Sequence, residues 1–301
     1  MKFTLTVLND PAHLFAGGRR RVVVIHLGFV PPEKWQVDMR LNQDKATRFQ
    51  KIFFSFLSIS VFILIWHFAV VFTELGNIMP SPFAIIKNFA VSFVKPVGKH
   101  TMPVHIAYSL RRVLTGFLIG SCTGIFLGIA MGLNEIVSSI FKPVFEIIRP
   151  IPTIAWIPLA IIWFGIGETT KYFLIFLVTF CNVTINAYDG VRSIDSDYIG
   201  AAKMLGANPV RVFGRIILPA CVPYIFAGLQ TALGYSWATV VAAEMVRSSE
   251  GVGWMIITGQ SANNMMQIMM GILAVGVIGF CLTTLMRVLE ARLCSWRERG
   301  K

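Results

Sequence analysis

The chain has 301 residues, 55% of them hydrophobic and only 14% charged, with a formal net charge of +12. A soluble domain carries about 25% charged residues, and apolar runs of about 20 residues cross a bilayer as helices. The composition therefore excludes an ordinary soluble enzyme and implies a polytopic membrane protein. Nor does the basic excess signal nucleic acid. It concentrates in residues 1–51, 188–221 and 287–301, alternate segments that the positive-inside rule assigns to the cytoplasm.

Residues 1–51 are polar and basic, with Arg19-Arg20-Arg21 and a Pro31-Pro32 break. They lack the apolar core of a cleavable signal peptide. Met39 offers an alternative start, which would make 1–38 an over-extended reading frame; otherwise the head is a basic tail lying on anionic lipid. Ile52–Phe72 is the first expected span, flanked by Lys51 and anchored near its far end by Trp66. The loop 73–106 contains Pro80, Pro82, Pro96 and Pro103, with an amphipathic helix expected around Phe83–Phe93. Ser109 to Leu114 opens the second span, which runs to about Leu133. Gly116, Gly120, Gly124, Gly128 and Gly132 recur there every fourth residue. Such a stripe lies on one helical face and lets another helix approach closely, within the subunit or across a dimer.

Residues 135–165 are apolar but irregular, with prolines at 143, 150, 152 and 158. Proline removes a backbone donor and breaks or kinks a helix. At membrane depth a broken helix is tolerated where it is buried in protein or lines a cavity. This stretch is the first candidate for a path across the membrane, with Arg149, Pro150, Pro152 and Trp156 on it. Two readings of Arg149 stay open. It snorkels to the rim, or it faces the path and attracts an anion, because an intramembrane charge is costly without a partner. Glu146, one turn earlier, is a candidate partner.

The fourth span is expected over Tyr172–Tyr188, with Asn182 and Asn186 one turn apart. A polar stretch, 198–219, follows; it reads as a short helix, a turn at Gly206-Ala207-Asn208-Pro209 and a second helix stopping at Pro219. The fifth span, from Cys221 to Met245, is unusually polar; Gln230 and Ser236 join Asn182 as candidates for the path. Glu244 is expected at the rim or paired with Arg247. Ile268–Leu289 is the last span. Six spans leave both ends and the 198–219 stretch on the cytoplasmic side.

Chemistry-bearing motifs are few. Cys122, Cys181, Cys221, Cys281 and Cys294 form no CxxC pair, which indicates neither a disulfide framework nor a zinc site. No metal-ligand cluster, cofactor motif or GxxxxGK[ST] phosphate loop is present, so this chain is not expected to bind ATP itself.

One pattern is specific. Ala201-Ala202, then Gly206, Ile216 and Leu218-Pro219, stand at the spacing of the EAA loop of ABC importer permeases, which this chain resembles. Arg149-Pro150-Ile151-Pro152, Trp163 to Glu168, Ala243-Glu244-Met245 and Gly251-Val252-Gly253 resemble the subfamily of sulfonate, taurine, nitrate and bicarbonate permeases. In that family the loop couples the permease to an ATP-hydrolysing subunit. The family's leading Glu is Gly200 here, which puts coupling strength in question, with Asp195 and Asp197 as possible compensation.

The resemblance covers residues 50–295 and implies an all-α polytopic protein with six transmembrane helices and the type I ABC importer permease fold. It divides the chain into a cytoplasmic basic segment, 1–50, and a first transmembrane helix with its periplasmic loop, 51–100. A transmembrane type-1 core, 101–290, contains coupling loop 198–219, and 291–301 is a cytoplasmic tail. It implies a multi-pass protein of the bacterial inner membrane, working with an ABC ATPase and a periplasmic or lipid-anchored binding protein, most simply as a permease homodimer. The implied solute is a sulfonate, taurine or nitrate-like anion, with a thiamine precursor or aromatic acid as the alternative. The rival classes are a secondary transporter, which would need no ATPase, and a membrane enzyme, which would need a catalytic cluster at one face.

Overall fold

The computed structural model describes residues 33–294, with side chains from residue 50 onward. The basic head with Arg19-Arg20-Arg21, and the tail beyond Cys294, lie outside the described residues. The described part is helical and has no β-strand.

A first compact unit ends at Ile65 and a second begins at Trp66. In the first, the described chain is the helix α1 (Glu33–Phe72), whose last turns belong to the second unit. Its stretch Gln50–Phe72 is long and apolar enough to cross a membrane.

The second unit is built on α3 (Met102–Leu133), α6 (Glu168–Arg192), α9 (Leu218–Val246) and α11 (Met265–Leu293). Shorter helices come before and between them in the chain: α2 (Pro82–Val91), α4 (Glu135–Ile148), α5 (Ile157–Phe164), α7 (Ser196–Met204), α8 (Pro209–Val212) and α10 (Val252–Ser261). Four further spans pass the length and apolarity test: Met102–Leu133, Glu168–Arg192, Pro209–Val246 and Met265–Leu293. A sixth is the pair α4 and Thr153–Phe164, bent by 92°. The bend sits at Arg149 to Pro152, where Pro150 lacks an N–H and Pro152 takes an extended ψ of 135°.

The glycine stripe of α3 lies against α6. A Cβ at Gly116 would stand 2.7 Å from Ile175 Cβ, one at Gly120 2.8 Å from Thr179 Cβ, and one at Gly124 3.1 Å from Val183 Cβ. Gly128 and Gly132 meet Ala187 and Val191 in the same way. The two backbones are therefore as close as helices become, and dispersion over that contact replaces the hydrophobic drive that lipid cannot supply. Val113, Phe117, Ile175, Leu233, Trp237 and Met286 fill the core where α3, α6, α9 and α11 meet.

Several helices run past their expected bounds, three of them for a reason that local chemistry gives. α3 begins at Met102, seven residues before Ser109, because Pro103 is accepted in the first helical turn. α6 reaches from Glu168 to Arg192, beyond both tyrosines, with charged residues in its end turns. The helix after Pro209 does not stop at Pro219. It passes through a π-turn, Phe213–Ile217, closed by Leu218 N–H to Phe213 O, and runs on as α9. The α-helical register restarts there, so Pro219 falls in a first turn where its missing donor costs little.

Candidate functional site

The 198–219 stretch is a helix–turn–helix hairpin with a capped turn. Asp195 accepts the Asp197 N–H at 3.0 Å to start α7. The helix ends when Ala207 N–H reaches Ala202 O and Gly206 N–H reaches Lys203 O, both at 3.0 Å. That pair of bonds is a Schellman ending, and it needs a left-handed residue, which Gly206 supplies with φ of 79°. Two residues on, the Asn208 side chain accepts the Arg211 N–H at 2.8 Å and Pro209 opens the next turn. Ala202 and Ile216 pack on the Val191, Val212 and Ile217 core, which anchors the hairpin to α6 and α9. Its tip is apolar and bare: Met204 is 85% exposed and Leu205 88%. Gly200, Ala201, Gly206 and Leu218 are also exposed, and nothing lies within 4 Å of a Cβ added at Gly200. Pro219 is half-buried.

A cleft of about 650 Å³ opens where the bent span meets α6 and α9. Its walls bring together Arg149, Pro150, Pro152, Trp156 and Asn182, all expected on the path, with Asn186, Thr231 and Tyr235 beside them. Gln230 and Ser236, also expected on the path, do not line this cleft. α9 faces the cleft with Thr231, Tyr235, Ala238, Thr239 and Ala242. Ser236 is one helical step further round, fully buried and 2.8 Å from Thr179 Oγ1 on α6. Arg149 is exposed, and no carboxylate among the described residues lies within ion-pair distance of it. Glu146 turns away and pairs with Lys142 at 3.9 Å, so the suggested Glu146–Arg149 pair does not form.

The third feature escaped sequence reading. Arg112 on α3 is 1% exposed and forms a two-pronged pair with Glu168, through Nε to Oε2 at 2.6 Å and Nη2 to Oε1 at 2.7 Å. Its Nη1 donates to Glu244 Oε1 at 2.7 Å and to Glu250 O at 2.9 Å. Glu244, fully buried at the end of α9, also accepts the Gly253 N–H at 2.9 Å and lies 2.9 Å from the Ser109 hydroxyl. Lys171 completes the cluster by donating to Glu168 and Ser248. The pairing of Glu244 with Arg247 is thereby replaced by one with Arg112. This knot ties α3, α6 and α9 to the segment 248–253 that leads into α10. The exposed hairpin lies at the opposite end of α6, some 24 residues or about 36 Å away.

The signal that could have found the knot was the charge itself. Arg112 and Glu244 stand inside apolar runs, where an unpaired charge is costly. Among the described residues no group of three His, Cys, Asp or Glu could hold a metal ion. The charges of Arg112 and Lys171 balance those of Glu168 and Glu244.

Residues 120–294 match the family described as binding-protein-dependent transport system inner membrane component. The chain is 38% identical over 223 residues to the taurine transport system permease protein TauC of Escherichia coli (strain K12), covering 72% of this chain and 80% of that one. It is 40% identical over 192 residues to a probable ABC transporter permease protein of Brucella abortus, covering 64% and 77%. It is 31% identical over 243 residues to a putative aliphatic sulfonates transport permease protein, SsuC, of Bacillus subtilis, covering 79% and 86%. Among solved structures it is similar in fold to the inward-facing MetNI methionine ABC transporter, with TM-score 0.53 and 16% identity over 61% of this chain and 92% of that one. A second is an amino acid ABC transporter with histidines, with TM-score 0.56 and 15% identity over 71% and 100%.

Proposed function

Since the chain belongs to the binding-protein-dependent transport system inner membrane components and has the type I ABC importer permease fold, we propose that it forms the transmembrane path for a small anion and is driven by a separate ATPase. The observation that carries this reading is the hairpin tip. Met204 and Leu205 are held out, bare, on a rigid double-capped turn. An apolar knob on a stiff support is what a docking element needs, because little entropy is lost when it seats.

The ATPase binds Gly200, Ala201, Ala202 and Gly206 on α7 and its turn, and Ile216, Leu218 and Pro219 carry the displacement into α9. Both termini and this hairpin face the cytoplasm of an inner membrane, as the basic segments favour. Two copies assemble about a two-fold axis, each supplying one hairpin to one ATPase subunit. A binding protein delivers the solute at the opposite face, near the knot. The solute is a sulfonate, taurine or nitrate-like anion. Relatives named for taurine and aliphatic sulfonates support that class, as does the unpaired Arg149 in the cleft.

The test is recovery of the tagged chain from its native membrane in mild detergent, with its companions identified by mass spectrometry. An ABC-type ATPase in equal amount is the expected result. Recovery alone, with transport that needs no ATP, would replace this reading by a secondary transporter.

A further inference from the structure

The cleft offers more than a cation. Asn182 Nδ2 donates to Val178 O at 2.7 Å, and Asn186 Nδ2 donates to Asn182 O at 2.8 Å. Neither amide can be turned round, because its oxygen would then face a carbonyl oxygen with no proton between them. Both Oδ1 atoms therefore point away from the α6 backbone. They stand one turn apart on the face that lines the cleft. Thr231 Oγ1 on α9 spends its one hydrogen on Ala227 O at 2.9 Å, so it too meets the cleft as an acceptor. Gly228, one turn before, packs on Asn186 and brings the two helices side by side there.

The wall thus presents one guanidinium with no carboxylate near it among the described residues, three oxygens with no hydrogen left to donate, and the hydroxyls of Thr153, Tyr235 and Thr239, which can donate or accept. A simple anion answers the first and leaves the oxygens to water. A simple cation suits the oxygens and is repelled by Arg149. An ammonium group has three N–H donors and no acceptor, a match in kind for oxygens that can only accept.

We propose that the cleft takes a small zwitterion, with an anionic head on Arg149 and a primary ammonium on the oxygens of Asn182, Asn186 and Thr231. An aminoalkanesulfonate has this chemistry. The proposal rests on the reading of the chain as the path of an anionic solute and narrows it. It makes Asn182 and Asn186 specificity residues, which tell an aminated anion from a bare one.

The experiment is equilibrium binding of radiolabelled taurine to the purified full chain in lipid nanodiscs, with ethanesulfonate, nitrate and ethylammonium as competitors. Ethanesulfonate, which lacks only the ammonium, should compete roughly tenfold less well than taurine, the worth of hydrogen bonds to a charged group. Ethylammonium should not compete. Asn182→Ala should bring taurine towards the level of ethanesulfonate and leave ethanesulfonate unchanged, whereas Asn182→Asp, which keeps an acceptor, should retain the preference. Arg149→Gln should weaken both sulfonates, and Arg149→Lys should restore most of the loss. Thermal unfolding of each variant checks that it is folded.

Equal binding of taurine and ethanesulfonate, with Asn182→Ala silent, overturns the zwitterion and leaves the anion path standing. Sulfonate binding that Arg149→Gln does not touch overturns the zwitterion site as placed here, and absence of binding by either sulfonate overturns the anion path as well.

Discussion

Arg112 Nη1 and Glu244 Oε1 lie 2.7 Å apart, with side chains 1% and 0% exposed. They join the first turns of one long helix to the last turn of another, 132 residues away in sequence. Breaking a buried pair strands the surviving charge, at a cost of about 3–5 kcal/mol. Glu244→Ala also orphans the Gly253 N–H and the Ser109 hydroxyl. It should lower stability in detergent by about that amount, read as a large drop in melting temperature. The double variant Arg112→Leu/Glu244→Leu should cost less than the two single changes summed, because neither charge is left alone. A sum that is simply additive would show that the two residues do not act as a pair.

The contact between α3 and α6 makes a second prediction. Gly120→Leu would drive a side chain into Thr179, whose Cβ would be 2.8 Å from the new Cβ, and into the Phe176 carbonyl at 3.0 Å. Overpacking of this kind costs about 1–3 kcal/mol or more. The variant should accumulate poorly in the membrane and melt early. Gly276→Ala on α11, where nothing lies within 4 Å of the new Cβ, should do neither. Normal levels and melting of Gly120→Leu would contradict the close approach.

Much of this architecture can be read from local chemistry. Apolar length sets the spans because a bilayer demands about 20 residues. Four-residue spacing puts the glycines on one face by geometry alone. Gly206 and Asn208-Pro209 announce a helix end and a helix start. What remained hidden was tertiary. His105 is expected in the loop before the second span, and Ser109 and Arg112 at its opening, yet all three lie well inside α3, where the segment 250–253 and Glu244 satisfy them. No local signal names a partner so distant. Likewise Tyr235 and Ser236 differ by one helical step, and only the position of α6 decides which of them meets the cleft.

Gly206 gives a third prediction. Its φ of 79° is a conformation that costs most residues about 1–2 kcal/mol and β-branched ones more. Gly206→Val should lose the Schellman ending and misplace Met204 and Leu205. ATP hydrolysis by the purified complex should then fall several-fold while the melting temperature of the membrane core changes little. Gly206→Asn, which tolerates that conformation, should retain most of the activity. Equal activity of the two variants would separate the turn from coupling.

The last prediction concerns Gly200, where the resembling family has a glutamate. The position lies in the middle of α7, and a Cβ there would meet nothing within 4 Å. Gly200→Glu therefore has no steric cost within the chain. It also replaces a poor helix former by a good one, worth several tenths of a kcal/mol or more in an exposed helix. The added charge sits three residues, about one turn, before Lys203 and leaves the caps at Asp195 and Asn208 untouched. Two quantities should then separate. The melting temperature of the isolated chain should stay level or rise slightly. The amount of ATPase retained on the chain after washing at moderate salt should rise or hold, since the new carboxylate is exposed to a partner as well as to Lys203. A clear loss of ATPase at unchanged melting temperature would mean that the partner's groove has adapted to a bare backbone at this point. In that case a compensating change belongs on the ATPase, not on α7.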